Sequence, residues 1–286
     1  MPSKIVTVGQ LMKDAVAYAR THLKTFADRE WKERVLLEPF GTRQAADLTR
    51  QDIDRWLSGY CKTAATANRF RAYFSLCYRL GMENGKVTTN PARLVRARKE
   101  DNSRLRFLSR DEYGKLLEII RRDNAKHAPE FMVSVFTGIR WGEQFDLTWN
   151  QVDLNCKMLA GVPTKDPSGV VVRRRDVDIN LIALEALREQ REAVPHKPKD
   201  KVFPLPGPGS DCRWWFEPAL AETKITDYTW HNNRHTFCSW LAIAGVNLKE
   251  IQVLAGHKTI AMTAYNAHLS QGATSSAAER LVPASK

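Results

Sequence analysis

Apolar residues recur at three- and four-residue spacing through the first ninety positions, and a stretch between residues 150 and 180 partly alternates instead. The first pattern predicts helices and the second predicts strands. Thr7 stands as an N-cap before a segment in which Leu11, Ala15, Val16 and Ala19 share one face. Thr49 with Asp52 forms a second cap signature ahead of Ile53, Trp56 and Leu57. A third segment runs from Thr63 to a stop at Gly85, with Phe70, Phe74, Cys77 and Leu80 in one stripe. Asn68, Arg69, Arg71 and Arg79 remain for solvent or for phosphate.

Residues 97–106, ARKEDNSRLR, are charged and almost free of bulky apolar side chains. They predict a linker between a helical domain at 1–96 and a second domain at 107–286, and 286 residues suffice for two cores. The second domain opens with a capping box, Ser109 to Glu112, and continues through FMVSVF to a break at Thr137-Gly138. QVDLNCKMLAGV and GVVVRRRDVDI are rich in β-branched residues, and Asp166-Pro-Ser-Gly169 between them is turn chemistry. A small antiparallel sheet is expected, with Lys165 at the edge of its turn. Helices return after VFPLPGPG, with Gly245 as a stop and Asn247 with Glu250 as the next start. The expected fold is mainly α, an all-helical domain followed by an α+β domain.

Charge narrows the partners. Lys plus Arg exceed Asp plus Glu by 44 to 32, a net +12, which suits a protein that meets a polyanion. Nucleic acid leads, with an anionic membrane surface second and weakly supported, because no single basic amphipathic helix stands out. No apolar run reaches the roughly 18 residues of a bilayer span, and MPSKIVTVGQ lacks the apolar core of a secretory signal, so a cytoplasmic protein is expected. The five cysteines are scattered without a C-x-x-C pair and read as reduced thiols.

Three segments carry candidate chemistry. In TGIRWGEQFDLTW, Arg140 follows a Thr-Gly break with Glu143 three positions on; the pair suits an anion near a helix start, or is an ordinary surface pair. In WHNNRHTFCSWLAIAG, helical spacing puts His231, Arg234 and His235 on one side and Phe237, Trp240, Leu241 and Ala244 on the other. This is either a basic trio aimed into a cleft or a surface helix with incidental histidines. GHKTIAMTAYNAHL packs two histidines, His257 and His268, and one tyrosine into fourteen positions, and Tyr265 is either a nucleophile or a core aromatic. Asp176 and Asp178 alternate on a strand; they are open to a metal-nuclease reading or to plain solvation beside Arg174 and Arg175.

Taken in order, Arg140, Lys165, His231-x-x-Arg234, the Leu254-Ala-Gly-His257 turn and the following tyrosine resemble the tyrosine recombinase, or phage integrase, family. The resemblance covers most of the chain. It implies that the helical region is a SAM-like core-binding domain and that 107–286 is the catalytic domain. It further implies a site-specific recombinase that needs no metal or cofactor. Arg140, Arg234, His231 and His257 would cradle the scissile phosphate, Lys165 would protonate the departing 5′ oxygen, and Glu143 would orient its neighbours. Tyr265 would attack to leave a 3′-phosphotyrosyl ester. Asn68, Arg69, Arg71, Arg173, Arg174 and Arg175 are the candidate DNA contacts. The implied partners are double-stranded DNA at a specific site and further copies of the chain, four on two duplexes. The tail after residue 269 suits docking on a neighbouring copy, and no arm-binding domain is expected before the helical region.

The family pattern GHxxIxxTxxYxH places its tyrosine nine residues after the histidine, where this chain has Asn266. Tyr265 stands one place early. A local helical shift returns it to the phosphate, or else the chain is a catalytically impaired DNA-binding relative. A type IB topoisomerase would share the same cradle.

Overall fold

The computed structural model describes residues 6–22, 27–100, 106–165, 171–193, 195–207 and 210–266. The chain forms two compact units, Met1–Asn102 and, with a short interruption, Ser103–Thr164 plus Val171–Lys286.

The first unit is helical: α1 (Val8–His22), α2 (Ala27–Phe40), α3 (Arg50–Tyr60) and α4 (Ala64–Glu83). Thr7 and Gln10 cap α1 reciprocally, and Thr49 with Asp52 forms a complete capping box on α3. The stripe Phe70, Phe74, Cys77 and Leu80 is buried with Leu11, Leu36, Phe40, Ile53 and Leu57. Tyr73 and Tyr78 are buried too, and Tyr78 donates its hydroxyl to the Ala45 carbonyl at 2.8 Å. The expected linker does not begin free at residue 97. Asn68 accepts from the Arg98 backbone N–H at 2.8 Å and donates to the Arg98 carbonyl at 2.8 Å, so both backbone groups of Arg98 are held by one side-chain amide of α4. Residues 101–105 lie outside the described set.

The second unit packs α5 (Arg110–Asn124), α6 (Ala128–Thr137), α7 (Trp141–Asp146), α8 (Leu181–Ala193), α9 (Arg213–Glu222), α10 (Asn232–Ile243), α11 (Leu248–Ala255) and α12 (Ile260–Asn266) with a small sheet. Ser109 and Glu112 cap α5 as expected. All ten residues of α6 are buried, the polar Glu130, Ser134 and Thr137 included, which places this helix at the centre of the unit. Phe131, Val135, Leu184, Leu187, Trp215, Phe216, Trp230 and Trp240 form the core around it. The sheet has the order β1 (Val152–Asp153), β2 (Met158–Lys165), β3 (Val171–Asp178). Val152 pairs with Leu159 in an antiparallel register, and the β2–β3 connection of a few residues is too short for a parallel crossover of roughly a dozen. The Asp166–Gly169 turn lies outside the described residues.

α10 departs from the expected two-sided helix. Asn233, Arg234, His235, Thr236, Cys238, Ser239, Trp240 and Ala242 are all buried, so Arg234 and His235 enter the interior, while His231, just before the helix, stays exposed. A polar lock fixes its rotation: Tyr228 donates to Asn233 Oδ1 at 2.8 Å, and Asn233 Nδ2 donates to Ser134 Oγ of α6 at 3.0 Å. Among the described residues no helix is long and apolar enough to cross a membrane.

Candidate active site

α6 ends at Gly138 in the left-handed conformation, φ 61°, where a Cβ would lie 2.3 Å from the Phe237 ring. The chain then runs extended through Arg140 into α7, which brings Glu143 back over the start of its own helix. Glu143 Oε2 accepts from the Arg140 backbone N–H at 3.0 Å and Oε1 from Arg140 Nη1 at 2.7 Å. Arg140 Nη2 donates to the Gly256 carbonyl at 3.1 Å. Glu143 is buried and also faces Arg175 Nη2 at 3.4 Å.

Arg175 corrects the sequence reading. Its guanidinium is buried, with Nη1 donating to the Leu254 carbonyl at 2.9 Å, so it is committed to the protein and not offered to DNA. Strand parity from residue 174 onward agrees: Arg175 and Val177 of β3 and Ile179 just past it are buried, and Arg174, Asp176 and Asp178 are exposed, whereas Arg173, of the inner parity, is exposed.

Arg234 is buried in α10. Nη1 donates to the Gly138 carbonyl at 2.6 Å and Nε to His257 Nε2 at 3.3 Å, while the buried Nη2 has no hydrogen-bond partner among the described residues. Burial first, then the nearby Arg140 charge, lowers its pKa to about 9.

His257 follows Gly256, a left-handed C-cap of α11 with φ 67°. Its backbone is clasped by Gln252, whose carbonyl accepts the His257 N–H at 3.0 Å and whose amide donates to the His257 carbonyl at 3.2 Å. The ring is buried and its pKa falls to about 3, through desolvation first and then the Arg234 and Arg140 charges. A neutral ring accepting from Arg234 at Nε2 carries its proton on Nδ1, which donates to Thr263 Oγ1 at 3.1 Å.

Arg140, Arg175 and Arg234 thus converge around one carboxylate, with two neutral or partly neutral imidazoles beside them. Excess positive charge plus an unpaired buried guanidinium nitrogen is a place for an anion of tetrahedral shape and several acceptor oxygens. A cleft continues from it along Arg173, Arg174, Lys249, Gln252 and Lys258. Among the described residues no group of three His, Cys, Asp or Glu is arranged to hold a metal. Asp176 instead accepts the Gly161 N–H at 2.8 Å.

The remaining candidates divide. His231 immediately precedes α10 with its ring edge-on to His235, centroids 5.0 Å apart, and its pKa is lowered by desolvation and then by Arg234 and Arg140. Tyr265 lies on α12 with 46% of its surface exposed, so it is not the packed core aromatic that the sequence left open. Lys165 closes β2, and its side chain lies outside the described set, as do those of Asn266 and His268 and the tail. Arg69, Arg173 and Arg174 are exposed. Asn68 is occupied by Arg98 and Glu100, and Arg71 Nη1 donates to the Val95 carbonyl at 3.3 Å, so both serve the helical unit's own backbone. Two contributors were not singled out from sequence: the Gly138 carbonyl, flagged only as a helix break, and Thr263, visible only as the threonine of the GHxxIxxT pattern.

Arginines and histidines gathered around one carboxylate on a helical scaffold define a class of protein with a built site for an anion. Residues 106–272 match the family model described as the phage integrase family, and the chain belongs to that family. The integrase of Salmonella phage P22 is 27% identical over 191 residues, 62% of this chain and 47% of that protein. This chain therefore spans about half the length of that relative. The fold is shared with the Tn1549 transposon integrase in complex with circular intermediate DNA, at TM-score 0.75, 21% identity and coverage of 96% and 100% of the two chains. A lambda integrase tetramer bound to a Holliday junction aligns at TM-score 0.73 and 20% identity over 92% of this chain and 78% of that one.

Proposed function

We propose that the protein is a site-specific DNA recombinase that cuts and rejoins strands through a 3′-phosphotyrosyl ester. The observation that carries this is the unpartnered, buried Nη2 of Arg234 inside a cluster of arginines with a single carboxylate. Attack on a phosphodiester builds negative charge on the phosphoryl oxygens, and pre-aimed donors in a desolvated site stabilise that charge. Arg140 and Arg234 bind the scissile phosphate, with His231 and His257 completing the cradle. The Tyr265 hydroxyl attacks phosphorus and gives up its proton to a neutral base, a cradle imidazole or water, while the P–O5′ bond breaks and the 5′ oxygen leaves with a proton from Lys165. The phosphotyrosyl bond keeps the ester energy for rejoining by another 5′ hydroxyl without ATP.

In this reading residues 1–96 are the core-binding domain and 107–286 the catalytic domain, joined by 97–106. The substrate is double-stranded DNA at a specific site in the cytoplasm. The working assembly is a tetramer, a reading supported by the lambda integrase assembly on a Holliday junction.

The test is covalent capture. The full chain is incubated with a library of nicked duplexes of randomised sequence, and protein-DNA adducts are isolated under denaturing conditions. Adduct from the wild type, lost in Tyr265→Phe and retained in Tyr60→Phe, supports the reading. Salt-sensitive DNA binding without adduct would instead identify a binding relative whose tyrosine is out of place. Adduct and relaxation on any sequence would indicate a topoisomerase.

A further inference from the structure

We propose that Thr263 is a positioning residue for the phosphate cradle: by accepting from His257 Nδ1 it fixes the imidazole tautomer that holds Arg234 in its firing orientation. The proposal rests on the recombinase reading for its consequence, though not for its geometry.

Three contacts form a chain. Thr263 Oγ1 lies 3.1 Å from His257 Nδ1, His257 Nε2 lies 3.3 Å from Arg234 Nε, and Arg234 Nη1 lies 2.6 Å from the Gly138 carbonyl. Thr263, His257 and Arg234 are all buried, so water does not substitute freely for a lost partner. A guanidinium Nε–H only donates, so its partner must be a bare imidazole nitrogen. If the ring carried its proton on Nε2, two N–H groups would face each other, and Arg234 would have to rotate away. That rotation moves Nη2, the one arm of the fork left open for a ligand oxygen. Thr263 thus acts on Arg234 through His257, much as an outer hydrogen bond fixes which nitrogen of a liganding histidine is basic.

The second consequence concerns α12. Thr263 stands two residues before Tyr265, and its hydroxyl ties this short helix to the cradle. In a chain whose tyrosine comes one residue early, that tether sets the helix phase from which Tyr265 departs.

The experiment uses the full chain labelled with ¹⁵N-histidine. Long-range ¹H–¹⁵N spectra at pH 7 should show His257 protonated on Nδ1 and bare at Nε2. Thr263→Val should move His257 toward the Nε2–H form or a mixture, and Thr263→Ser should restore the wild-type signature. Adduct formation should fall by up to about 100-fold in Thr263→Val, with DNA affinity within about twofold, because misplacement costs rate more than ground-state binding. Wild-type His257 protonated on Nε2 would overturn the proposal outright, as would an unchanged tautomer in Thr263→Val. If Thr263→Val does not fold, the wild-type and Thr263→Ser spectra decide. If the wild type forms no adduct, the recombinase reading fails and the tautomer still judges the positioning role.

Discussion

Arg175 occupies the space that a side chain on Gly256 would need: a Cβ there would stand 2.4 Å from Arg175 Nε. The glycine is also left-handed, φ 67°, so both strain and crowding oppose replacement. Gly256→Ala is expected to destabilise the fold by about 1–3 kcal/mol. Urea unfolding checks the size, and adduct yield should fall with it because His257 follows directly.

Glu143 is the carboxylate shared by Arg140 and Arg175. Removing one partner of a buried ion pair leaves uncompensated charge, so Glu143→Gln should cost about 3–5 kcal/mol at low salt. Added sulfate should return part of that loss in a thermal-unfolding series. Equal instability at every sulfate concentration would contradict the charge argument.

The cradle should respond to anions even without DNA sequence. A ligand that binds only the folded state stabilises by about 2.7 kcal/mol at one hundred times its Kd. Sulfate or a short duplex should therefore raise the Tm of the wild type, and much less that of Arg234→Ala.

Acid should weaken the protein through His257. Its pKa is about 3 when folded against an ordinary 6.5, so between those values the unfolded chain binds the proton and the folded chain does not. Stability is therefore complete above about pH 6.5 and declines as pH falls toward 3. Comparing urea midpoints of wild type and His257→Gln across this window should show a shallower decline in the variant. His231, shifted the same way, contributes in the same direction.

Arg173 and Arg174 are exposed beside the cradle, and Arg175 is not. Arg173→Ala and Arg174→Ala should each flatten the slope of log affinity against log salt by about 0.9 for a lost phosphate contact. Arg175→Ala should act mainly on unfolding free energy. Equal salt slopes for all three variants would contradict this division.

Much of this was legible beforehand. The caps at Thr49 and Ser109, the stripe through Phe70 and Phe74, and the breaks at Gly85, Gly138 and Gly245 follow from local chemistry that tertiary packing does not override. Arg140, Glu143, Arg234 and His257 were found by order and spacing, and they converge in space. What the sequence hid is which polar groups turn inward. Arg175 was counted with its basic neighbours, although parity with Val177 and Ile179 marks the inner face. Asn68 looked free because its partner, Arg98, lies thirty residues away. α10 read as two-sided because a helical wheel cannot anticipate a fully buried neighbour such as α6, whose Ser134 meets Asn233.

The lock of Tyr228, Asn233 and Ser134 sits on the inward side of α10, one residue from Arg234. The aim of that guanidinium is thereby inherited from the interior and is independent of whatever the outer residues touch. Under the recombinase reading, such a division would leave sequence reading to the outer residues while the interior holds the bearing of the guanidinium.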